Sequence, residues 1–94
     1  MVWTNPFPHS ACDVECIDVD LSYLATRLGL GSPHEALRRW VQAEVKAKLT
    51  NTPILAWLKH EGLPDVPLGL HRQGTHRLFT VRWGPWIACF GTAP

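Results

Sequence analysis

The chain lacks a strong charge of either sign. Only 18% of its 94 residues are charged, and nine Lys and Arg against eight Asp and Glu leave a formal net charge of +1. A clear basic excess is usual in proteins that bind nucleic acid without sequence preference, and this chain does not have one. All nine basic residues follow residue 20, whereas residues 1–20 carry four of the acids. The body of the chain is therefore basic and its beginning acidic.

Long hydrophobic runs and a secretion signal are also missing. No stretch approaches the ~18 apolar residues that a membrane-spanning helix needs. The beginning, MVWTNPFPHSAC, has neither a basic region nor an apolar run, and three cysteines are an odd number for a disulfide framework. We therefore expect a cytoplasmic protein with reduced thiols and no membrane contact. If the gene belongs to a phage, the cytoplasm in question is that of the host cell.

Motifs of catalysis are absent from the sequence. It contains no nucleophile elbow, no phosphate-binding loop and no Glu-His pair at metalloprotease spacing. His9, Cys12 and Cys16 have a spacing that zinc would permit, but on a strand the two thiols would lie ~13 Å apart and could not share an ion. We expect no enzyme, no catalytic residue, no metal and no cofactor.

Apolar and aromatic residues are plentiful enough for one small core. Hydrophobic residues make up 46% of the chain, and five residues are Trp. A chain of this length is expected to fold as one domain, 1–94, that buries about two-thirds of its unfolded surface. Pro6 and Pro8 flank Phe7, so residues 1–9 are predicted to form an extended N-terminal arm.

The hydrophobic patterns predict an α+β fold: an N-terminal strand, three helices, and a C-terminal three-stranded antiparallel meander packed on the helices. Residues 11–19 alternate apolar and acidic side chains, as a half-buried strand does. Ile17 breaks the alternation, so a bulge or the end of the strand is predicted near Cys16. A first helix is predicted from Leu21 to about Leu28, with Asp20 as its cap and Gly29 as its end.

Two further helices have clear start signals. The sequence Ser-Pro-His-Glu at 32–35 is a capping box with proline at the first helical position, and it predicts a helix to about Leu49. A short third helix is predicted after Thr52 and Pro53, with Thr52 as its cap, and it should end at Gly62.

The meander is predicted within residues 66–91. Two-residue loops at 73–74 and 84–85 would bring one apolar set onto a single face: Leu68, Leu70, Phe79, Val81, Trp83, Trp86, Ala88 and Phe90. Pro85 suits such a turn poorly, which leaves a longer second loop open. We expect the helices to pack on this apolar face. The opposite face, expected to be outermost, holds His71, His76, Leu78, Thr80, Arg82, Ile87 and Cys89, with the two histidines facing each other.

The stretch LATRLGLGSPHEALRRWV, residues 24–41, resembles the helix-turn-helix motif of bacterial and phage regulators. Leu24, Ala25, Leu28 and Gly29 match its first helix and turn, and the residues from Ser32 to Trp40 resemble the start of a recognition helix. The resemblance implies a DNA-binding transcriptional regulator whose contacts to bases and phosphates come from His34, Glu35, Arg38 and Arg39. The same residues are also consistent with an ordinary corner between two helices that has no role in DNA binding, and this is the alternative interpretation.

The predicted outermost sheet face and its tryptophan turn indicate a protein-binding surface. Aromatic and Arg anchors among apolar neighbours are typical of interface centres, and the residues concerned are Trp83, Trp86, Arg82, His71, His76, Leu78 and Ile87. The leading hypothesis is a small non-enzymatic module that binds a larger host protein or protein complex. By its general type, it would be a phage or mobile-element accessory protein that inhibits host defence by stoichiometric binding, as anti-CRISPR proteins do. DNA binding through His34, Arg38 and Arg39 is the alternative function, and a homodimer stays open.

Overall fold

The computed structural model of the protein describes residues 10–16 and 32–93. They form an α+β fold in which a four-stranded antiparallel sheet carries two helices. In chain order the elements are β1 (Ser10–Cys16), α1 (Pro33–Leu49), α2 (Ile54–Glu61), β2 (Gly69–Gln73), β3 (His76–Trp83) and β4 (Trp86–Thr92). The predicted N-terminal arm and the predicted helix at Leu21–Leu28 lie outside the described residues. So do the last three residues of the predicted strand 11–19.

Helix α1 begins and ends where local side chains satisfy its free backbone groups. Ser32 Oγ accepts a hydrogen bond from the Glu35 N–H at 3.1 Å, and Pro33 occupies the first turn, as predicted. At the other end, Thr50 Oγ1 donates to the carbonyl oxygens of Lys46 and Ala47. Seventeen residues therefore form a stable helix long enough to cross the sheet.

Helix α2 packs on α1 through Trp57, with Ile54 and Leu58 beside it. Trp57 is buried against Ala43 and Ala47 of α1, and Gly62, with a φ of 74°, ends the helix. The prediction that Thr52 caps α2 is wrong: no side chain caps it, and Thr52 Oγ1 donates to the Thr50 carbonyl oxygen instead. Among the described helices, none is long and apolar enough to cross a membrane.

The strand order is β1-β4-β3-β2, so the meander is present and β1 pairs with its last strand. The predicted register of the second hairpin is confirmed, with Trp83 opposite Trp86 and Phe79 opposite Phe90. The two-residue loop at 84–85 is accommodated because Gly84 has a φ of 53°. A positive φ followed by the negative φ of proline suits a type II′ turn.

The first hairpin is shifted by two residues from its predicted register. Its loop is Gly74-Thr75 rather than residues 73–74, and Leu70 therefore pairs with Phe79 instead of Arg77. Gly74 has a φ of 61°, which only glycine adopts without strain, so it takes the first loop position. A shift of two leaves every side chain on its predicted face.

Helix α1 covers the face of the sheet opposite to the one predicted to be covered, and α2 packs on α1 rather than on a strand. Leu37, Val41 and Val45 of α1 pack with Val66 against the face formed by Ala11, Leu78, Ile87 and Cys89. We call this side the inner face. The outer face carries the apolar set that was predicted to be the core: Leu70, Phe79, Trp83, Trp86 and Phe90 are between 40% and 70% exposed, and only the small residues Cys12 and Ala88 on it are buried.

A close approach between α1 and β4 determines which face is covered. A Cβ atom built on Gly91 would lie 2.5 Å from Val45 Cγ1, 3.0 Å from Leu49 Cδ1 and 3.0 Å from Leu78 Cδ2. Glycine therefore lets the helix rest directly on the strand. The inner face offers small or slender side chains at this crossing, whereas the outer face is crowded with aromatic rings.

We expect Gly91→Ala to lower the free energy of unfolding by about 1–3 kcal/mol, because the added methyl group overlaps three side chains. In an open strand the same change would be stabilising, so the sign is informative. Urea unfolding measures it. Adding Val45→Ala, which removes the nearest methyl group, should make the double variant more stable than the sum of the two single effects predicts. An additive pair would contradict the close contact.

Candidate functional site

Arg38 and Arg39, which the helix-turn-helix resemblance assigns to DNA, bind the protein's own loop. Arg38 Nη1 donates to the Val66 carbonyl oxygen, and Nη2 lies 2.6 Å from Asp65 Oδ1. Arg39 Nε donates to the Pro64 carbonyl oxygen at 2.9 Å. The hydrogen bond from Arg38 holds the pKa of the Asp65 carboxyl below its usual range. Both guanidinium groups are therefore engaged in holding residues 62–68 against α1.

The buried amide of Gln42 completes this attachment. Its Oε1 accepts a hydrogen bond from the Val66 N–H at 3.1 Å, and its Nε2 donates to the Val66 carbonyl oxygen at 2.7 Å. Nε2 also donates to Thr80 Oγ1 at 3.0 Å, and Thr80 Oγ1 lies 3.5 Å from Cys89 Sγ. The amide thus satisfies both backbone groups of Val66, as a neighbouring strand would, and fixes Val66 in the core.

The remaining predicted site residues on the inner side are dispersed. Leu78 and Ile87 are buried in the core, so their predicted exposure to a partner is wrong: α1 covers them. His34 and the exposed Arg82 line an open cavity of about 440 Å³ beside the N-terminus of α1. The sequence places them far apart, and α1 brings them together by lying across the sheet.

His71 and His76 do not face each other, contrary to the prediction. His71 pairs with Leu78 because of the shifted register, and its Nε2 lies 3.0 Å from the Leu68 carbonyl oxygen. His76 Nδ1 is buried without a hydrogen-bond partner in the part of the chain that is described. Burial, together with the positive charge of Lys46, lowers the pKa of His76. The two histidines are therefore diagonal neighbours on the inner face rather than a directly opposed pair.

Cys12 and Cys89 are buried, and Cys16 is partly exposed. Cys12, Cys16 and Cys89 form no disulfide with one another. Burial raises the pKa of the Cys89 thiol to about 11, so this thiol stays protonated and unreactive at neutral pH. Within residues 10–16 and 32–93, no group of three or more His, Cys, Asp or Glu side chains is arranged to hold a metal ion.

Three carboxyl groups surround Lys48 where β1 meets α1. Lys48 Nζ lies 3.5 Å from Asp13 Oδ1 and donates to the Cys12 carbonyl oxygen at 2.9 Å. Burial raises the pKa values of Asp13, Glu15 and Glu44, and the negative charge of Asp13 raises those of Glu15 and Glu44 further. One lysine therefore offsets only part of the repulsion among three acids.

We expect Glu44→Gln to raise the free energy of unfolding at pH 7, by up to about 1 kcal/mol for so accessible a group. Folding raises the pKa of the Glu44 carboxyl above its unfolded value of 4.5, so the folded state binds its proton more tightly. The free energy of unfolding therefore decreases as the pH rises from the unfolded pKa through the higher folded pKa. The gain over the wild type should vanish by about pH 4. Thermal unfolding of both proteins across this range measures the difference, and destabilisation at pH 7 would contradict the repulsion.

The outer face carries five of the seven large apolar side chains that are exposed among the described residues. Its side chains lie in rows across the strands: Trp83 beside Trp86, then Val14, Val81 and Ala88, then Leu70, Phe79 and Phe90, then Arg72, Arg77 and Thr92. Successive rows are separated by about 7 Å, two residues along a strand. The exposed apolar area is on the order of 400–500 Å², given the usual area of such side chains. Patches of this size are often functional.

Sequence reasoning identified only part of this surface. Trp83 and Trp86 were predicted as anchors, and both are exposed. Leu70, Phe79 and Phe90 were missed because the face that bears them was assigned to the core. One sequence signal does indicate which face is buried. Gly91 follows Phe90, so the alternation of side chains along the last strand places it on the inner face. A glycine inside a strand often marks the close approach of another backbone.

Two adjacent residues test which face is buried. Leu78→Thr should lower the free energy of unfolding by about 3 kcal/mol, because it removes apolar volume and buries a hydroxyl group in the core. Phe79→Thr should cost about 1 kcal/mol or less, because the ring is 40% exposed. Threonine favours strands in both positions, so the comparison is matched. A larger loss for Phe79→Thr in urea unfolding would restore the originally predicted core.

Comparison with known proteins gives the chain no relative: no family model, no curated protein and no solved structure matches it.

Proposed function

We propose that the chain is a non-enzymatic protein-binding module that binds a larger partner protein stoichiometrically through its outer sheet face. The observation that carries the proposal is the exposure of Leu70, Phe79, Trp83, Trp86 and Phe90, each between 40% and 70%, on one side of one sheet. Trp and other aromatic residues contribute most of the binding free energy at many interfaces. Here four of them are gathered on one surface.

The sheet supports binding because it holds these side chains in place before a partner arrives. Cross-strand pairs join Trp83 to Trp86 and Phe79 to Phe90, and Leu70 is opposite Phe79. Side chains fixed on paired strands lose little further conformational entropy on binding, so more of the contact free energy appears as affinity. Both described helices lie on the opposite side of the sheet, which leaves the aromatic rows accessible.

The charge on the outer face indicates the chemistry of the partner. Among the described residues, Arg72 and Arg77 lie at one end of this face. The acidic residues of β1, Asp13 and Glu15, lie on the inner face, because side chains alternate along the strand. A complementary surface would present apolar side chains bordered by acidic groups. The proposed partner is therefore a protein with an apolar patch and an acidic rim.

The biological setting that we propose is inhibition of a host protein complex, as for phage or mobile-element accessory proteins that oppose host defence. The supporting features are small size, the absence of catalytic motifs from the sequence, and a preformed apolar surface. No observation favours DNA binding as a second candidate. The guanidinium groups of Arg38 and Arg39, which it would need, are bonded to loop 62–68.

The test is affinity capture from a lysate of the source cell, followed by titration of the purified captured protein. We expect one-to-one binding. Trp86→Ala should weaken it by about 30-fold or more, the loss typical of an aromatic anchor. Isothermal titration calorimetry gives both the stoichiometry and the affinity.

The matched control is Leu55→Ala, because Leu55 is a large apolar residue that is 75% exposed on α2, away from the sheet. It should change the affinity by less than about twofold, since it lies outside the proposed interface. Equal weakening by both variants, or by neither, contradicts the proposed surface. Concentration-dependent dimerisation that Trp86→Ala abolishes and Leu55→Ala does not would identify a second copy of the chain as the occupant instead.

A further inference from the structure

We propose that Arg72 and Arg77, with the hydroxyl groups of Thr75 and Thr92, form a binding site for a phosphate monoester at the end of the outer face. The site goes beyond the proposed protein binding and does not depend on it. It rests on a cross-strand juxtaposition and a cavity, neither of which uses the aromatic rows. Arg72 and Arg77 also border the proposed protein-binding face, but the phosphate site needs only these two arginines and the adjoining cavity.

The two arginines are brought together by the shifted register of the first hairpin. Gln73 and His76 close the two-residue loop, and Arg72 is directly opposite Arg77. The pair next to a hydrogen-bonded closing pair is of the non-hydrogen-bonded type, with Cα atoms about 4.5 Å apart and side chains close together. On the other side of Arg77, β4 places Thr92 opposite it.

These side chains line one concave surface. A cavity of about 310 Å³ is bordered by Arg72, Thr75, Arg77, Thr92 and Ala93. Guanidinium groups donate several hydrogen bonds in a planar fork that matches the oxygen atoms of a phosphate, and threonine hydroxyls add further donors. The lining therefore supplies donors from the two arginines and the two threonines, and none of the described residues that line it has a carboxylate side chain.

The two positive charges lack compensation within the described structure. Neither guanidinium group of Arg72 or Arg77 forms a hydrogen bond or an ion pair within residues 10–16 and 32–93, where the ion pairs are Arg38–Asp65 and Lys48–Asp13. Like charges directly opposite each other on neighbouring strands are destabilising. A ligand with two negative charges neutralises both arginines, whereas a carboxylate or a phosphodiester neutralises only one.

This charge balance selects the ligand class. A phosphate monoester is close to doubly charged at neutral pH and has three accepting oxygen atoms. The source would be either a small phosphorylated molecule or a phosphorylated side chain, since both present the same group. The row of Leu70, Phe79 and Phe90 lies about 7 Å from the arginine row, so an apolar body attached to the phosphate would contact it.

The experiment is an NMR titration of the protein at pH 7.5 and constant ionic strength, following the backbone amides of Thr75, Arg77 and Thr92. The probes are methyl phosphate, dimethyl phosphate, acetate and phenyl phosphate. We expect saturable shifts with methyl phosphate and affinity weaker by about tenfold for the two singly charged probes, which lose one charge-assisted interaction. Phenyl phosphate should bind more tightly than methyl phosphate, because its ring contacts the apolar row of Leu70, Phe79 and Phe90.

The variant Arg77→Gln should weaken methyl phosphate binding by about tenfold or more. The control Arg82→Gln should leave it within about twofold, because Arg82 is an exposed arginine on the same strand whose side chain belongs to the opposite face. Unsaturated shifts, equal affinity for dimethyl phosphate, or equal loss in both variants would overturn the site. Tighter binding of a phosphotyrosine peptide than of phenyl phosphate would identify a phosphorylated partner chain as the source of the phosphate. Equal binding of the two would identify a small phosphorylated molecule as the source.

Trp86→Ala should leave methyl phosphate binding intact even if it abolishes partner binding, so failure of the proposed function is distinguishable from failure of this site.

Discussion

The contact between helix α1 and strand β4 at Gly91 decides the rest of the architecture. A single Cβ atom there would lie 2.5 Å from a Val45 methyl group, so the helix is as close to the strand as side chains permit. The contact places Val41, Val45 and Leu49 over the side of the sheet that bears Leu78, Ile87 and Cys89. Because strand side chains alternate, covering this side leaves the aromatic rows on the other. The packing of the core and the exposure of the candidate surface therefore have one cause.

The polar side chains of α1, which resembles a DNA-recognition helix in sequence, form hydrogen bonds within the protein itself. Gln42 satisfies both backbone groups of Val66, and Arg38 and Arg39 bond to carbonyl oxygens of the same loop. The loop joins α2 to β2 without a strand or helix of its own, so its backbone groups need side-chain partners. Basic residues on a helix surface are common in DNA-binding helices, but here the available charge is used to retain a loop and to close the core with Val66.

Local signals were sufficient for part of the fold and insufficient for the rest. The N-cap at Ser32 and the loop at Gly84-Pro85 involve residues close in sequence, so α1 and the second hairpin were predictable. The first hairpin shifted by two residues because Gly74 takes the position with positive φ. Which sheet face is buried was not predictable from alternation, since period two assigns residues to faces without saying which face is covered. That choice depends on the long-range contact at Gly91. The Arg72–Arg77 pair likewise follows from the shift and not from the residues themselves.

The same alternation makes the outer face a single surface with two kinds of chemistry. Toward the loop at 84–85 it is aromatic, with Trp83 and Trp86, and toward the loop at 74–75 it is cationic, with Arg72 and Arg77. Apolar area provides affinity without direction, whereas a charged pair at one end fixes the orientation of whatever binds. Although the net charge of the chain is only +1, two positive charges lie together on this face, at Arg72 and Arg77, and no described residue neutralises them. Orientation of a bound partner would follow from that position rather than from the overall charge of the protein.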